Sequence, residues 1–302
     1  MTRGASDTGV PRASGDAPRR LAGALWRRPR LGRWLLLALP LGWLAIVYLG
    51  SLAVLFLNAF WSLDPFTGQV VRELTLDNFV HLATTEVFRT ITLRTLGIAA
   101  LVTVACALIA FPIAYYMARI ASRRTRAMML IAVLLPLWSS YLVKIYAWRT
   151  ILGGNGLLDW LLAPFGLASP GFGELAIWLV FTYLWLPYMI LPIYTALDRL
   201  PASLLEASAD LGARSGFTFR RVILPIMIPA VAAGSIFTFS LTIGDYITPR
   251  LVSNTKFIGN VVYENVGVAG NIPLAAAFSL VPVVVMIGYL FAARRIGAFD
   301  SL

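Results

Sequence analysis

EASADLGARSGFTFRRVILP, Glu206 to Pro225, holds two acids, three arginines and two glycines. Both of its neighbours are apolar: WLVFTYLWLPYMILPIYTAL, Trp178 to Leu197, before it and IPAVAAGSIFTFSL, Ile228 to Leu241, after it. A polar, small-residue segment between two runs long enough to cross a bilayer is a loop between membrane spans, and that reading sets the fold class. Composition agrees. The 302 residues are 59% hydrophobic and 13% charged, with a mean hydropathy of +0.79, whereas a soluble domain carries about 25% charged residues. The net charge of +11 does not indicate a nucleic-acid partner, because the arginines cluster where the cytoplasmic loops of a membrane protein carry them.

Six apolar runs, near 34–58, 91–118, 128–150, 174–196, 223–244 and 273–293, are each long enough to cross as a helix. The period-2 pattern of a membrane barrel is absent, so the expected fold is an all-α integral membrane protein with six transmembrane helices. Arginines orient it. Eight lie before the first run, four in ARIASRRTRA (Ala118 to Ala127), and others at Arg199, Arg214, Arg220, Arg221, Arg294 and Arg295. The alternate loops carry acids such as Asp64, Glu73, Asp159 and Glu174. The positive-inside rule then puts both termini and the opening segment in the cytoplasm. The first run is too long for the apolar core of a cleaved leader, and no small-x-small site ends it.

The expected organisation has four parts. Residues 1–33 are a disordered basic tail near anionic headgroups. Residues 34–90 are the first span and an outer loop. Residues 91–295 are a core of five spans that includes the segment 201–221, and 296–302 are a cytoplasmic tail. The single cysteine, Cys106, lies mid-span and forms no intrachain disulfide. The single histidine, His81, reads as a solvated loop residue. No metal-ligand cluster and no nucleophile–base set is visible.

Within the opening segment, Pro201 suits a helix N-terminus, ASLLEASADL reads as a short helix, and Gly212 stops it. FTFRRV begins a second helix that runs into the fifth span. Ala207, Ser208 and Ala209 form a patch with little side-chain bulk. Glu206 and Asp210, at i and i+4, share a face fit for a partner's arginines. On the residues alone, this helix is either a docking element for another protein or an amphipathic linker in the headgroups.

Three spans show polar faces. Ser235, Thr238, Thr242 and Asp245 fall at i, i+3, i+7 and i+10 in the fifth span. Tyr141, Lys144 and Trp148 share a face in the third; Trp178, Thr182, Trp185 and Met189 do so in the fourth. Charged side chains deep in a span normally face a cavity, so these faces are expected to line a central path. Asp245 and the aromatic rings suit an ammonium group, and Lys144 is a candidate ion-pair partner for Asp245. Plainer readings stand beside these: hydroxyls bonded to their own helix, tryptophans in the interfacial belt and a snorkelling lysine. Pro112, Pro136, Pro187, Pro192, Pro225, Pro229 and Pro282 predict bent helices.

Glu206-Ala207-Ser208, Gly212 and Val222-x-Leu224-Pro225 resemble the E-A-A…G…I-x-L-P signature of ABC importer permeases, with Ser208 and Val222 as departures. PLWSSYLVKIYAWRTILGGNGLLDWLL (Pro136 to Leu162), GDYITPRLV (Gly244 to Val252) and NIPLAAAFS (Asn271 to Ser279) resemble spermidine/putrescine-type permeases. Ser253-Asn254 replaces a usual glycine pair there, and Ile272 a usual tryptophan. The resemblance implies a multi-pass permease of the bacterial cytoplasmic membrane for a small, polyamine-like cation. It makes Glu206, Ala207, Ser208, Asp210 and Gly212 a coupling helix between spans four and five. It also implies ATP-binding cassette subunits, a second permease chain, usually a different one, and an extracytoplasmic binding protein as partners in the lipid bilayer. No cofactor is implied. No G-x-x-x-x-G-K-[ST] phosphate loop occurs, and the two lysines, Lys144 and Lys256, lie in no such context, so ATP hydrolysis falls to a partner. The competing readings are a permease of the same group for another small solute, an ion-coupled transporter with inverted repeats, or a membrane enzyme.

Overall fold

Apolar runs fold as helices because lipid leaves no other partner for backbone amides and carbonyls. The computed structural model, which describes residues 37–297, consists almost wholly of them. The tail expected over 1–33 lies outside the described residues, as does 298–302 of the expected C-terminal tail. In chain order the helices are α1 (Leu37–Asn58), α2 (Asp77–Thr84), α3 (Glu86–Ile120), α4 (Arg123–Trp138), α5 (Tyr141–Leu152), α6 (Leu157–Leu162), α7 (Glu174–Arg199), α8 (Ala202–Asp210), α9 (Ser215–Gly244), α10 (Ile247–Val252), α11 (Ile258–Gly267) and α12 (Ile272–Arg295). Two strands of two residues, β1 (Ser62–Leu63) and β2 (Val70–Val71), pair antiparallel between α1 and α2, with Ser62 opposite Val71.

Among the described residues, α1, α3, α7, α9 and α12 are each long and apolar enough to cross a membrane. The run 128–150, expected as one span, is instead two helices, α4 and α5, meeting at 98°. Pro136 lies in the last turn of α4 and supplies no N–H, and Ser139 and Ser140 are extended. Two side chains take the carbonyl this exposes: Ser139 Oγ and Lys144 Nζ both donate to Pro136 O, at 2.8 and 2.9 Å. By contrast Pro112, Pro187, Pro192, Pro229 and Pro282 sit inside their helices without ending them.

The described residues divide into two compact units, parted between Leu55 and Phe56. In the first, α1 presents exposed side chains such as Leu39, Trp43 and Ile46 and widens into a π-helical turn over Leu44–Leu49. The second begins at Phe56, at the end of α1. There Asn78 Nδ2 donates to Ala59 O and Trp61 O, at 3.0 and 2.7 Å, fixing the entry to α2. Asp64 Oδ1 accepts the amides of Phe66 and Thr67 at the hairpin turn, and the Phe66 bond holds its carboxyl below the usual range.

The centre of the second unit is α3 against α7 and α9. Val102, Cys106, Ala110 and Ala114 recur every four residues along α3 and are fully buried. They pack in one cluster with Ile177, Val180, Phe181 and Leu184 of α7. Lipid provides no hydrophobic drive between helices, so association rests on close packing and interhelical hydrogen bonds. Small residues allow that closeness. A Cβ added at Gly234 of α9 would lie 2.8 Å from Met189 Sδ and 3.1 Å from Met189 Cα on α7. A hydroxyl bond adds to the seam: Tyr289 OH of α12 donates to Ser235 Oγ at 2.7 Å, and Thr238 Oγ1 approaches Thr103 Oγ1 of α3 at 3.4 Å. Such an interhelical bond contributes about 0.6 kcal/mol in membranes. Gly234→Val is therefore expected to destabilise the protein by about 1–3 kcal/mol through overpacking. Gly288→Val, where nothing lies within 4 Å of the added carbon, serves as the control. Melting curves of the two detergent-purified variants compare them, and equal midpoints would contradict the close α7–α9 approach.

Candidate coupling segment and translocation path

The segment 201–221 is built as its sequence reads. Pro201, at φ −61° and ψ 134°, turns the chain into α8. Gly212, at φ +73°, ends it with paired bonds, Gly212 N to Ala209 O at 2.8 Å and Ala213 N to Ser208 O at 3.1 Å, the Schellman arrangement that glycine permits. Glu206, Ala207, Ala209 and Asp210 are exposed, and neither acid forms an ion pair among the described residues. The expected patch of three small residues is divided. Ser208 turns inward, 9% exposed, and its hydroxyl meets Thr218 Oγ1 of α9 at 2.8 Å. The outward surface is thus acidic and low in bulk, and Ser208 ties it to the bundle.

Asp245 does not continue the face of the fifth span. The helix ends at Gly244, and Asp245 is extended at φ −79° and ψ 128°. Its Oδ1 accepts the amides of Ile247 and Thr248 at the start of α10, at 2.8 and 3.2 Å, and its Oδ2 accepts Thr248 Oγ1 at 2.8 Å. Tyr141 OH, from the first residue of α5, also donates to Oδ2 and lies 2.7 Å from Thr248 Oγ1. The carboxylate therefore joins the start of α5 to the end of α9. The Lys144–Asp245 pair does not form, because Lys144 is occupied at Pro136 O.

Ser235, Thr238 and Thr242 are a second correction. They are 7%, 0% and 0% exposed, so they lie within the helix seam and line no open path in this conformation. Each hydroxyl donates to its own helix, at Ala232 O, Ser235 O and Thr238 O respectively, which is how small hydroxyls are satisfied in lipid. Trp185 is 9% exposed and stacks between Phe181 and Tyr141, at ring distances of 6.3 and 6.1 Å. Its indole N–H is buried with no hydrogen-bond partner among the described residues. Trp148 packs on Tyr183 at 5.5 Å, Thr182 Oγ1 donates to Trp178 O, and Met189 is fully buried against Gly234.

What the structure brings together is thus Tyr141, Trp185 and Asp245, beside the elbow held by Lys144. Thr248 belongs to that group and was missed in the sequence, although its position three residues after Asp245 is an ordinary capping interval. Tyr289 was missed too; nothing local marks a tyrosine that reaches a neighbouring helix. Among the described residues no three His, Cys, Asp or Glu side chains gather to hold a metal.

A family model described as the binding-protein-dependent transport system inner membrane component matches residues 33–298. The chain is 50% identical over 302 residues to the inner membrane ABC transporter permease protein YdcU of Escherichia coli (strain K12), covering 94% of this chain and 95% of that protein. It is 32% identical over 228 residues to the spermidine/putrescine transport system permease protein PotB of Haemophilus influenzae, covering 74% of this chain and 79% of that one. Among solved structures, a bacterial alginate ABC transporter in complex with an alginate pentasaccharide-bound periplasmic protein superposes with a TM-score of 0.71. That match covers 93% of this chain and 98% of the other at 17% identity, a likeness of fold alone. The membrane-length helices and these matches agree on a multi-pass protein of the bacterial inner membrane. From its match over 33–298, the chain belongs to the family of binding-protein-dependent transport system inner membrane components and is a permease subunit of an ABC transporter.

Proposed function

We propose that this permease carries a small cationic solute of polyamine type, received from an extracytoplasmic binding protein and driven by ATP hydrolysis in cassette subunits that dock on α8. The observation that carries the cationic reading is the elbow. Asp245 is half-buried and has no counter-cation among the described residues, and Tyr141 and Trp185 stack beside it with nearly parallel rings, 15° apart. A carboxylate next to aromatic faces suits an ammonium group. Kinship to the PotB protein supports the same solute class. Tyr141, Lys144 and Asp245 form the wall of the path, Trp185 backs Tyr141, and Ser235, Thr238 and Thr242 hold the helix behind it. A second permease chain, different from this one as in polyamine-type systems, supplies the facing wall. The ion-coupled alternative would need a matched pair of broken helices. Among the described residues the bent pair α4–α5 is the single one.

The arginine distribution supports cytoplasmic termini and a cytoplasmic α8. The one native cysteine, Cys106, is 0% exposed, so it adds little background to thiol labelling. Ala209→Cys is expected to react with a membrane-impermeant maleimide in inside-out vesicles and to stay unlabelled in intact spheroplasts; the opposite pattern would reverse the topology. Glu206→Lys and Gly212→Val are expected to abolish ATP-dependent uptake while the protein still inserts. The first inverts the docking charge, and the second forces a β-branched residue to positive φ. Normal uptake in both variants would remove α8 as the docking element. Asp245→Asn is expected to reduce uptake of a cationic solute about tenfold, with Tyr141→Phe milder because the charge survives. An equal loss for a neutral solute would leave Asp245 a capping residue and nothing more.

A further inference from the structure

Docking at α8 transmits force only if α8 is tied to the rest of the bundle. Two arginines in ARIASRRTRA sit at that junction. Arg126, in the first turn of α4, donates Nε to Met117 O and Nη2 to Ala118 O, both at 2.9 Å, and Nη1 to Asp198 Oδ1 at 3.0 Å. Met117 and Ala118 belong to the last turn of α3, whose carbonyls have no further amide to accept. Asp198 belongs to the last turn of α7. Arg119 donates Nη2 to Leu200 O at 2.6 Å, and Leu200 immediately precedes Pro201 and α8. The Nε of Arg119 is buried with no partner among the described residues.

These bonds differ in kind from the one at the other end of α8. There the link to α9 is the neutral hydroxyl pair Ser208–Thr218. On the α7 side the links are charge-assisted, and the planar fork of a guanidinium fixes direction as well as distance. The Arg126–Asp198 pair is partly open to solvent, with side chains 33% and 44% exposed, so it contributes little to stability. Its geometry is better explained as alignment. One side chain locks the end of α3, the end of α7 and the start of α4 together. α4 in turn runs to the elbow, where Pro136 O holds Lys144 and Tyr141 holds Asp245.

Resting on the reading of α8 as the docking helix, we infer that Arg126 and Arg119 are positioning residues that carry the displacement of α8 into α4 and so to the Pro136–Tyr141 elbow. Without them, α8 moves against α9 alone, and nucleotide hydrolysis proceeds without opening the path. The role is conversion of hydrolysis into transport, so the decisive readout is the ratio between the two.

The test uses the whole transporter, this permease with its partner permease, cassette subunits and binding protein, in proteoliposomes. Solute imported per ATP hydrolysed is measured for Arg126→Gln, Arg126→Lys, Asp198→Asn and Glu206→Lys. Arg126→Gln and Asp198→Asn are expected to lower that ratio about tenfold in complexes that still assemble. Arg126→Lys recovers part of it, because an ammonium can reach Asp198 but not both carbonyls. A wild-type ratio in Arg126→Gln and Asp198→Asn, beside an inactive Glu206→Lys, overturns the inference alone. So does a fall of uptake and hydrolysis in equal proportion in every Arg126 and Asp198 variant, since that is a merely structural effect. Normal uptake in Glu206→Lys overturns the docking reading, and this inference with it.

Discussion

In hydrocarbon, a backbone carbonyl or amide released from a helix has only the protein to bond with. Four interruptions of these helices among the described residues show how that is met, three through a side chain and one through the backbone itself. At the 98° elbow, Ser139 and Lys144 take Pro136 O. Beyond Gly244, Asp245 takes the first amides of α10. At the end of α3, Arg126 takes Met117 O and Ala118 O. At the end of α8, Gly212 lets the chain curl back on Ala209 O and Ser208 O. The residues that stand out chemically are therefore first of all the repairs of broken helices. Their functional use is built on that structural necessity.

This explains what the sequence made legible. Apolar length located the membrane helices, and proline, small residues and glycine located α8, because those signals act over one or two turns. Pro136 was read as a bend, and the chain does bend by 98° just beyond it, but through a break between two helices. The difference lies in its neighbours, since Ser139 and Ser140 are extended and Lys144 reaches back to close the gap. Pro187 and Pro192, deep in a well-packed helix, end nothing. The polar stripe of the fifth span failed for a related reason. A 3.6-residue period was carried past Gly244, where the helix stops. Inside the helix, the same spacing that could line a path also places hydroxyls over their own i−3 and i−4 carbonyls. Composition cannot separate those outcomes, and burial does.

The exposed acidic helix and the aromatic–carboxylate group occupy separate places in this chain. The chain carries no phosphate loop, its acidic exposed helix α8 lies at one junction, and the aromatic–carboxylate group of Tyr141, Trp185 and Asp245 lies at another. The 17% identity to the alginate transporter shows how far one helical arrangement survives changes of sequence.

The elbow also has a consequence for the surrounding lipid. α4 has 16 residues, which at about 1.5 Å per residue gives a rod of about 24 Å, against a hydrocarbon core of about 30 Å. Beyond it the chain turns nearly at right angles, so α4 by itself falls short of the opposite leaflet's surface. The polar groups of Ser139 and Ser140 at that turn call for protein or water around them rather than acyl chains.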